Sequence, residues 1–167
     1  MTDEEERIER CARIIELLDQ RGQTIVTAES CTAGLLAATF GSVSGASRVL
    51  WGGFVSYRIE AKVRMYAVSH GDIERWGAVS AETAVAMARG ALLQSGSDVA
   101  VSTVCYADPD DSGPKGPGLF GWVAVVERAG SAATKRVDLT GRRDENRAAV
   151  VAASLGLLED RLGLTAV

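Results

Sequence analysis

All three prolines of the chain, Pro109, Pro114 and Pro117, fall within residues 107–118, alongside Asp108, Asp110, Asp111 and three glycines. Proline fixes φ and removes a backbone donor, so this stretch is the one clear irregular loop of the sequence. The rest divides into regular elements. Thr2-x-x-Glu5 fits a capping box, and Ile8, Cys11, Ile15 and Leu18 recur at helical spacing up to Gly22, which predicts a first amphipathic helix. Residues 24–28 form a short β-prone run, the Glu-Ser-Cys-Thr turn follows, and residues 33–40 have helical character. The order there is strand, tight turn, helix.

Further along, residues 41–45 read as a loop and 49–57 as an apolar strand in which Gly52 and Gly53 mark a bulge or a close backbone approach. Helical stretches are predicted over 60–67, 72–76 and 81–94, the last capped by Ser80. Strands are predicted over 98–104, 120–127 and 134–139, the last two as a hairpin around residues 128–130, and a closing helix over 144–162. Several short strands separated by helices predict an α/β fold, a three-layer α/β/α sandwich with a mixed sheet. With 47% hydrophobic and 24% charged residues in 167, a single domain spanning residues 1–167 is expected.

The formal charge of −4 provides no overall positive field for nucleic acid or an anionic membrane. Trp51, Trp76 and Trp122 are scattered and suit a core or subunit contact better than a base-stacking platform. The acidic N-terminus differs from a signal peptide, and no apolar run approaches the ~20 residues of a bilayer span, so a cytoplasmic location is expected. Three cysteines, Cys11, Cys31 and Cys105, with no C-x-x-C spacing suggest neither a disulfide framework nor a zinc knuckle. Cys11 and Cys105 are read as core residues. Asp108, Asp110 and Asp111 only faintly resemble a calcium loop, since the prolines intervene and the terminal glutamate is missing.

Ser30 sits where the first strand turns into a helix, a position exposed to a cleft and beside backbone N–H groups that can stabilise an oxyanion. The same position is also a common helix cap. His70, the only histidine, lies in a turn-like context that does not suit a Ser-His-Asp triad. A desolvated lysine can serve as a base instead. Lys62 follows the 49–57 strand closely enough for Tyr57 and Lys62 to share a cleft with Ser30, although an exposed helical lysine is the plainer reading.

The run Thr27-Ala-Glu-Ser-Cys-Thr-Ala-Gly34, then Val43-Ser-Gly-Ala-Ser47, Gly53-Phe-Val-Ser-Tyr57 with Glu60-Ala-Lys62, and Gly77-Ala-Val-Ser80, resembles the consecutive motifs of the CinA C-terminal family. The likeness resumes at Gly141-x-Arg143 and Arg147 and covers most of residues 8–162. Members of that family hydrolyse the carboxamide of nicotinamide mononucleotide to the acid and ammonia with a serine nucleophile and a lysine base, without metal or cofactor. The resemblance implies Ser30 as nucleophile, Lys62 as base and Tyr57 beside the substrate. It also implies substrate contacts from Glu29, Gly34, Val104, Cys105, Tyr106, Arg143 and Arg147, with either arginine meeting a phosphate. The backbone N–H groups of Cys31 and Thr32 are the candidate oxyanion donors on geometric grounds. Cys31 is a weaker alternative nucleophile. A small-molecule substrate and a homo-oligomer are expected, with no nucleic-acid or membrane partner.

The sequence departs from the family where a Thr-Gly-Ile-Ala-Gly-Pro run is usual and Val104-Cys-Tyr-Ala-Asp-Pro109 stands instead. Leu119 and Ile59 also replace a customary threonine and asparagine. Lost glycines block close ligand approach, and a carboxylate at position 108 opposes a phosphate. The alternative reading is therefore an inactive or substrate-shifted member that serves as a ligand-binding or assembly protein.

Overall fold

The computed structural model describes residues 1–108 and 118–164. Its elements run α1 (Asp3–Gln20), β1 (Ile25–Glu29), α2 (Leu35–Gly41), a short 3-10 turn at Ala46–Arg48, β2 (Leu50–Val55), α3 (Ile59–Tyr66), α4 (His70–Trp76), α5 (Ala81–Ser95), β3 (Val99–Cys105), β4 (Phe120–Glu127), β5 (Ala132–Asp138) and α6 (Arg143–Leu162). The expected elements are present, with ends shifted by a few residues. His70 corrects an expectation: it opens α4 behind the Ser69 cap, one turn before Glu74, because the Ser69 hydroxyl accepts from Asp72 N and starts a helix there.

The five strands form one sheet in the order β2-β1-β3-β4-β5. β1 runs parallel to both β2 and β3, while β3-β4 and β4-β5 are antiparallel, which makes the sheet mixed. Alternation along the strands sorts side chains to two faces. Ile25, Val99, Val101, Val123 and Val125 pack with α1, α2 and α6, and Val26, Ala28, Ala100, Ala124 and Val126 pack with α3 and α5. Three layers result, as the alternating helices and strands predict.

The β1-to-β2 connection crosses the first face through α2, and the β2-to-β3 connection crosses the opposite face through α3, α4 and α5. β1 is therefore the strand at which the winding reverses. In open α/β sheets, ligands bind outside the carboxyl ends of the strands at such a point. Ser30 is the first residue beyond that end of β1.

Two glycines set β2 against β1 and α2. Ile25 pairs with Leu50 but Val26 pairs with Gly52, so Trp51 is the extra residue of a bulge. A Cβ at Gly53 would strike the Thr27 hydroxyl and press on Ala37, so only glycine lets α2 lie this close. Both expected roles of the glycine pair are realised.

Candidate active site

The turn after β1 is built around Glu29. Its side chain is fully buried, a costly place for a carboxylate unless it is hydrogen-bonded. Oε2 accepts from Thr32 Oγ1 at 2.6 Å and from the N–H groups of Gly34 and Leu36, each at 3.0 Å. Oε1 accepts from Ala37 N at 2.8 Å and Thr27 Oγ1 at 3.2 Å. The carboxylate thus occupies the place of an N-cap for α2 and matches the positive end of its dipole. Gly34 (φ 92) and Ala33 (φ 50) take left-handed conformations that double the chain back under Ser30.

Lys62 comes from α3 and is only 2% exposed. Its Nζ lies 2.9 Å from Ser30 Oγ, 2.7 Å from Ser56 O and 3.2 Å from Tyr57 O. Among the described residues no carboxylate lies within ion-pair distance of this nitrogen. Burial lowers the lysine from its ordinary 10.5 to about 8, because the charged form loses its hydration. A neutral amine has two N–H donors and one lone pair. The two carbonyls can take the donors, leaving the lone pair for the Ser30 hydroxyl. The arrangement can remove a proton from Ser30 and return one later.

The backbone around Ser30 is held from α6. Arg147 Nε donates to Cys31 O at 3.1 Å and its Nη2 to Thr32 O at 2.7 Å. Among the described residues, the N–H groups of Cys31 and Thr32 bond to no protein acceptor. Thr32 Oγ1 lies 2.8 Å from Thr103 Oγ1 of β3. Arg143, the first residue of α6, donates from Nη2 to the Tyr57 hydroxyl and places Nη1 3.6 Å from Asp108 Oδ2.

Cys31 and Cys105 overturn the reading of the cysteines: they are joined as a disulfide, with their Cα atoms 5.6 Å apart. Parallel pairing brings them together. Glu29 is in register with Thr103, so Cys31, two residues past the end of β1, meets Cys105, the last residue of β3. Cys105 is therefore a cross-link at the strand end rather than a packed thiol, and Cys31 has no thiolate to act as a nucleophile. Cys11 is the buried free cysteine expected of it, with its thiol pushed up to about 12 by burial.

Ser30, Lys62, Tyr57, Cys31, Thr32, Arg143 and Arg147 all meet at this strand end. Val104 instead points to the opposite face and packs with α5, and Tyr106 stacks edge-on against Phe120, ring centroids 5.6 Å apart. Ser56, Thr103 and Asn146 belong to the site's frame without having been singled out in the sequence. Asn146 is 2% exposed and ties Ala107 O to Gly141. An asparagine on the inward face of an apolar helix was the available signal for it. Of the calcium-loop residues, Asp110 and Asp111 lie outside the described residues, as do Pro109, Pro114 and Pro117.

Among the described residues no group of three or more His, Cys, Asp or Glu side chains could hold a metal ion, and no helix is long and apolar enough to cross a membrane. A separate groove of about 560 Å3, lined by Tyr66, Trp76, Val85 and Leu93 among others, lies along α3, α4 and α5 and holds no nucleophile–base pair.

Fold and site together define an α/β/α domain that brings Lys62 of α3 to Ser30 on a strand-to-helix turn at the carboxyl end of β1. The chain belongs to the CinA C-terminal domain family, whose profile matches residues 8–162. It is 42% identical over 143 residues to a CinA-like protein of Citrifermentans bemidjiense, covering 86% of this chain and 34% of that protein. It is also 42% identical over 140 residues to a putative competence-damage inducible protein of Streptococcus gordonii, covering 83% of this chain and 33% of that one. The chain thus spans about a third of the length of these curated relatives. Among solved structures, competence/damage inducible protein CihA from Agrobacterium tumefaciens superposes with a TM-score of 0.87 at 32% identity, covering 98% of this chain and 97% of that one. The competence damage-inducible protein A from Klebsiella pneumoniae gives 0.89 at 30% identity, covering 94% and 97%.

Proposed function

We propose that this chain is an amidohydrolase acting on the carboxamide of a nicotinamide-bearing nucleotide or nucleoside, with Ser30 as nucleophile and Lys62 as general base. The observation that carries the reading is the 2.9 Å contact between Lys62 Nζ and Ser30 Oγ in a site that lowers the lysine to about 8. Membership of the CinA C-terminal family, whose amidases use the matching serine and lysine, supports it.

Ser30 Oγ attacks the carboxamide carbon as its proton passes to Lys62 Nζ, and the carbonyl π pair moves to oxygen. The N–H groups of Cys31 and Thr32 receive that oxyanion. The tetrahedral adduct collapses by breaking the C–N bond, and Lys62 protonates the departing nitrogen, which leaves as ammonia. Water then gives a proton to Lys62 and attacks the acyl ester, and the acid departs as Ser30 recovers its proton.

The test is ammonia release from nicotinamide mononucleotide and nicotinamide riboside by the purified chain. Turnover of at least one amide is expected, abolished in Ser30→Ala; ammonia release at the same rate by Ser30→Ala would sink the reading. The second reading, a binding or assembly role without turnover, draws on the altered 104–108 segment, where Cys105 is cross-linked and Asp108 faces Arg143. Release of ammonia by the chain with serine intact excludes it.

A further inference from the structure

Two arginines come to the Ser30 end of the sheet, and they are used differently. Arg147 commits Nε and Nη2 to the carbonyls of Cys31 and Thr32. Arg143 stands farther out, with a side chain 42% exposed, and is linked through the Tyr57 hydroxyl to the residue whose carbonyl accepts from Lys62. Arg143 is thus the outer, solvent-facing cation of this strand end. A carboxylate is already there: Asp108 Oδ2 lies 3.6 Å from Arg143 Nη1.

We propose that Asp108 sets the charge selectivity of this site, making it prefer an amide whose sugar carries no phosphate over the phosphorylated counterpart. The inference rests on the hydrolase reading above and narrows its substrate class. A phosphate approaching Arg143 must also approach the Asp108 carboxylate, and the repulsion offsets the attraction of the guanidinium. A sugar hydroxyl meets no such opposition, and it can donate to the carboxylate in a charge-assisted hydrogen bond. The pair is open to solvent, with Asp108 33% exposed, so screening keeps the effect moderate.

The experiment compares kcat/KM for nicotinamide riboside and nicotinamide mononucleotide in the intact chain and in Asp108→Asn and Asp108→Glu. The intact chain is expected to favour the riboside. Asp108→Asn should raise the nucleotide-to-riboside ratio roughly tenfold, as removing one charge from a half-solvated site implies, while Asp108→Glu keeps the original preference. Equilibrium binding of the same two probes to Ser30→Ala, with and without Asp108→Asn, reads the ratio independently of turnover. Failure of the hydrolase reading appears as binding without ammonia, and the shift of the binding ratio still decides the role of Asp108. An intact chain that prefers the nucleotide, a ratio that Asp108→Asn leaves unchanged, or no binding of either probe overturns the proposal.

Discussion

Lys62 Nζ lies 2.9 Å from Ser30 Oγ and finds its other partners in the carbonyls of Ser56 and Tyr57, at 2.7 and 3.2 Å. Burial lowers the lysine to about 8, so the nitrogen is protonated below that pH and neutral above it. Only the neutral form accepts the Ser30 proton. The kcat/KM for amide hydrolysis is therefore expected to rise about tenfold per pH unit below pH 8 and to level off above it. Lys62→Ala should lower kcat by roughly 10²–10⁴-fold. A profile flat from about pH 6 to 9 would assign the proton to another group.

The same lysine makes stability depend on pH. Its folded value, about 8, lies below the ordinary 10.5 of an unfolded chain, so between those two pH values the unfolded state binds more protons. The unfolding free energy contributed by Lys62 therefore rises with pH across that window, and below about 8 the burial penalty is present in full. Relative to Lys62→Met, the intact chain should gain up to about 3 kcal/mol between pH 7 and 10 in denaturant titrations. A difference independent of pH would mean that the lysine is not desolvated.

Glu29 is a second test of the turn. Its two oxygens accept five hydrogen bonds, three of them from backbone N–H groups at the start of α2. Glu29→Gln preserves shape but turns an NH2 group toward donors, leaving buried polar groups opposed. A loss of about 1–3 kcal/mol in unfolding free energy is expected, together with reduced turnover because Ser30 rides on the same turn. Unchanged melting would show that the carboxylate contributes no net capping.

Much of this was legible in the sequence because each signal was local. The Thr2 capping box, the glycines of β2 and the helical spacing of α1 are short-range patterns, and the strand-turn-helix placed Ser30 correctly. Lys62 was harder: as a charge on a short helix it reads as exposed, and only the fold brings its amine in against Ser30 and the carbonyls of Ser56 and Tyr57. The Cys31–Cys105 bond was invisible because its 74-residue separation is closed by parallel pairing, which residue spacing does not encode. The role of the Glu29 carboxylate in holding the turn through Thr32, Gly34, Leu36 and Ala37 is not legible in the sequence either, because it depends on where the chain doubles back.

The disulfide gives a direct chemical expectation. Under non-reducing conditions, thiol titration of the unfolded chain should find one free thiol, Cys11, and three after reduction. Cross-linking residues so far apart restricts the unfolded chain, so reduction or Cys105→Ser should cost about 2–4 kcal/mol of stability, seen as a lower Tm. Three thiols without reductant would show that the bond does not form.

Arg147 holds the peptide between Cys31 and Thr32 by the Cys31 carbonyl, and in a trans peptide the Thr32 N–H points the opposite way. By gripping Cys31 O the guanidinium fixes where the Thr32 N–H, one of the two candidate oxyanion donors, aims, and its hold on Thr32 O anchors the next peptide of the turn. Lysine offers a point charge without the planar fork, so Arg147→Lys keeps the charge and loses the two-point grip. The expected result is a kcat lower by about 10–100-fold, somewhat less than deletion of an oxyanion donor, with KM nearly unchanged. A raised KM with intact kcat would instead make Arg147 a direct contact to the ground-state substrate, as the family resemblance implies for a phosphate.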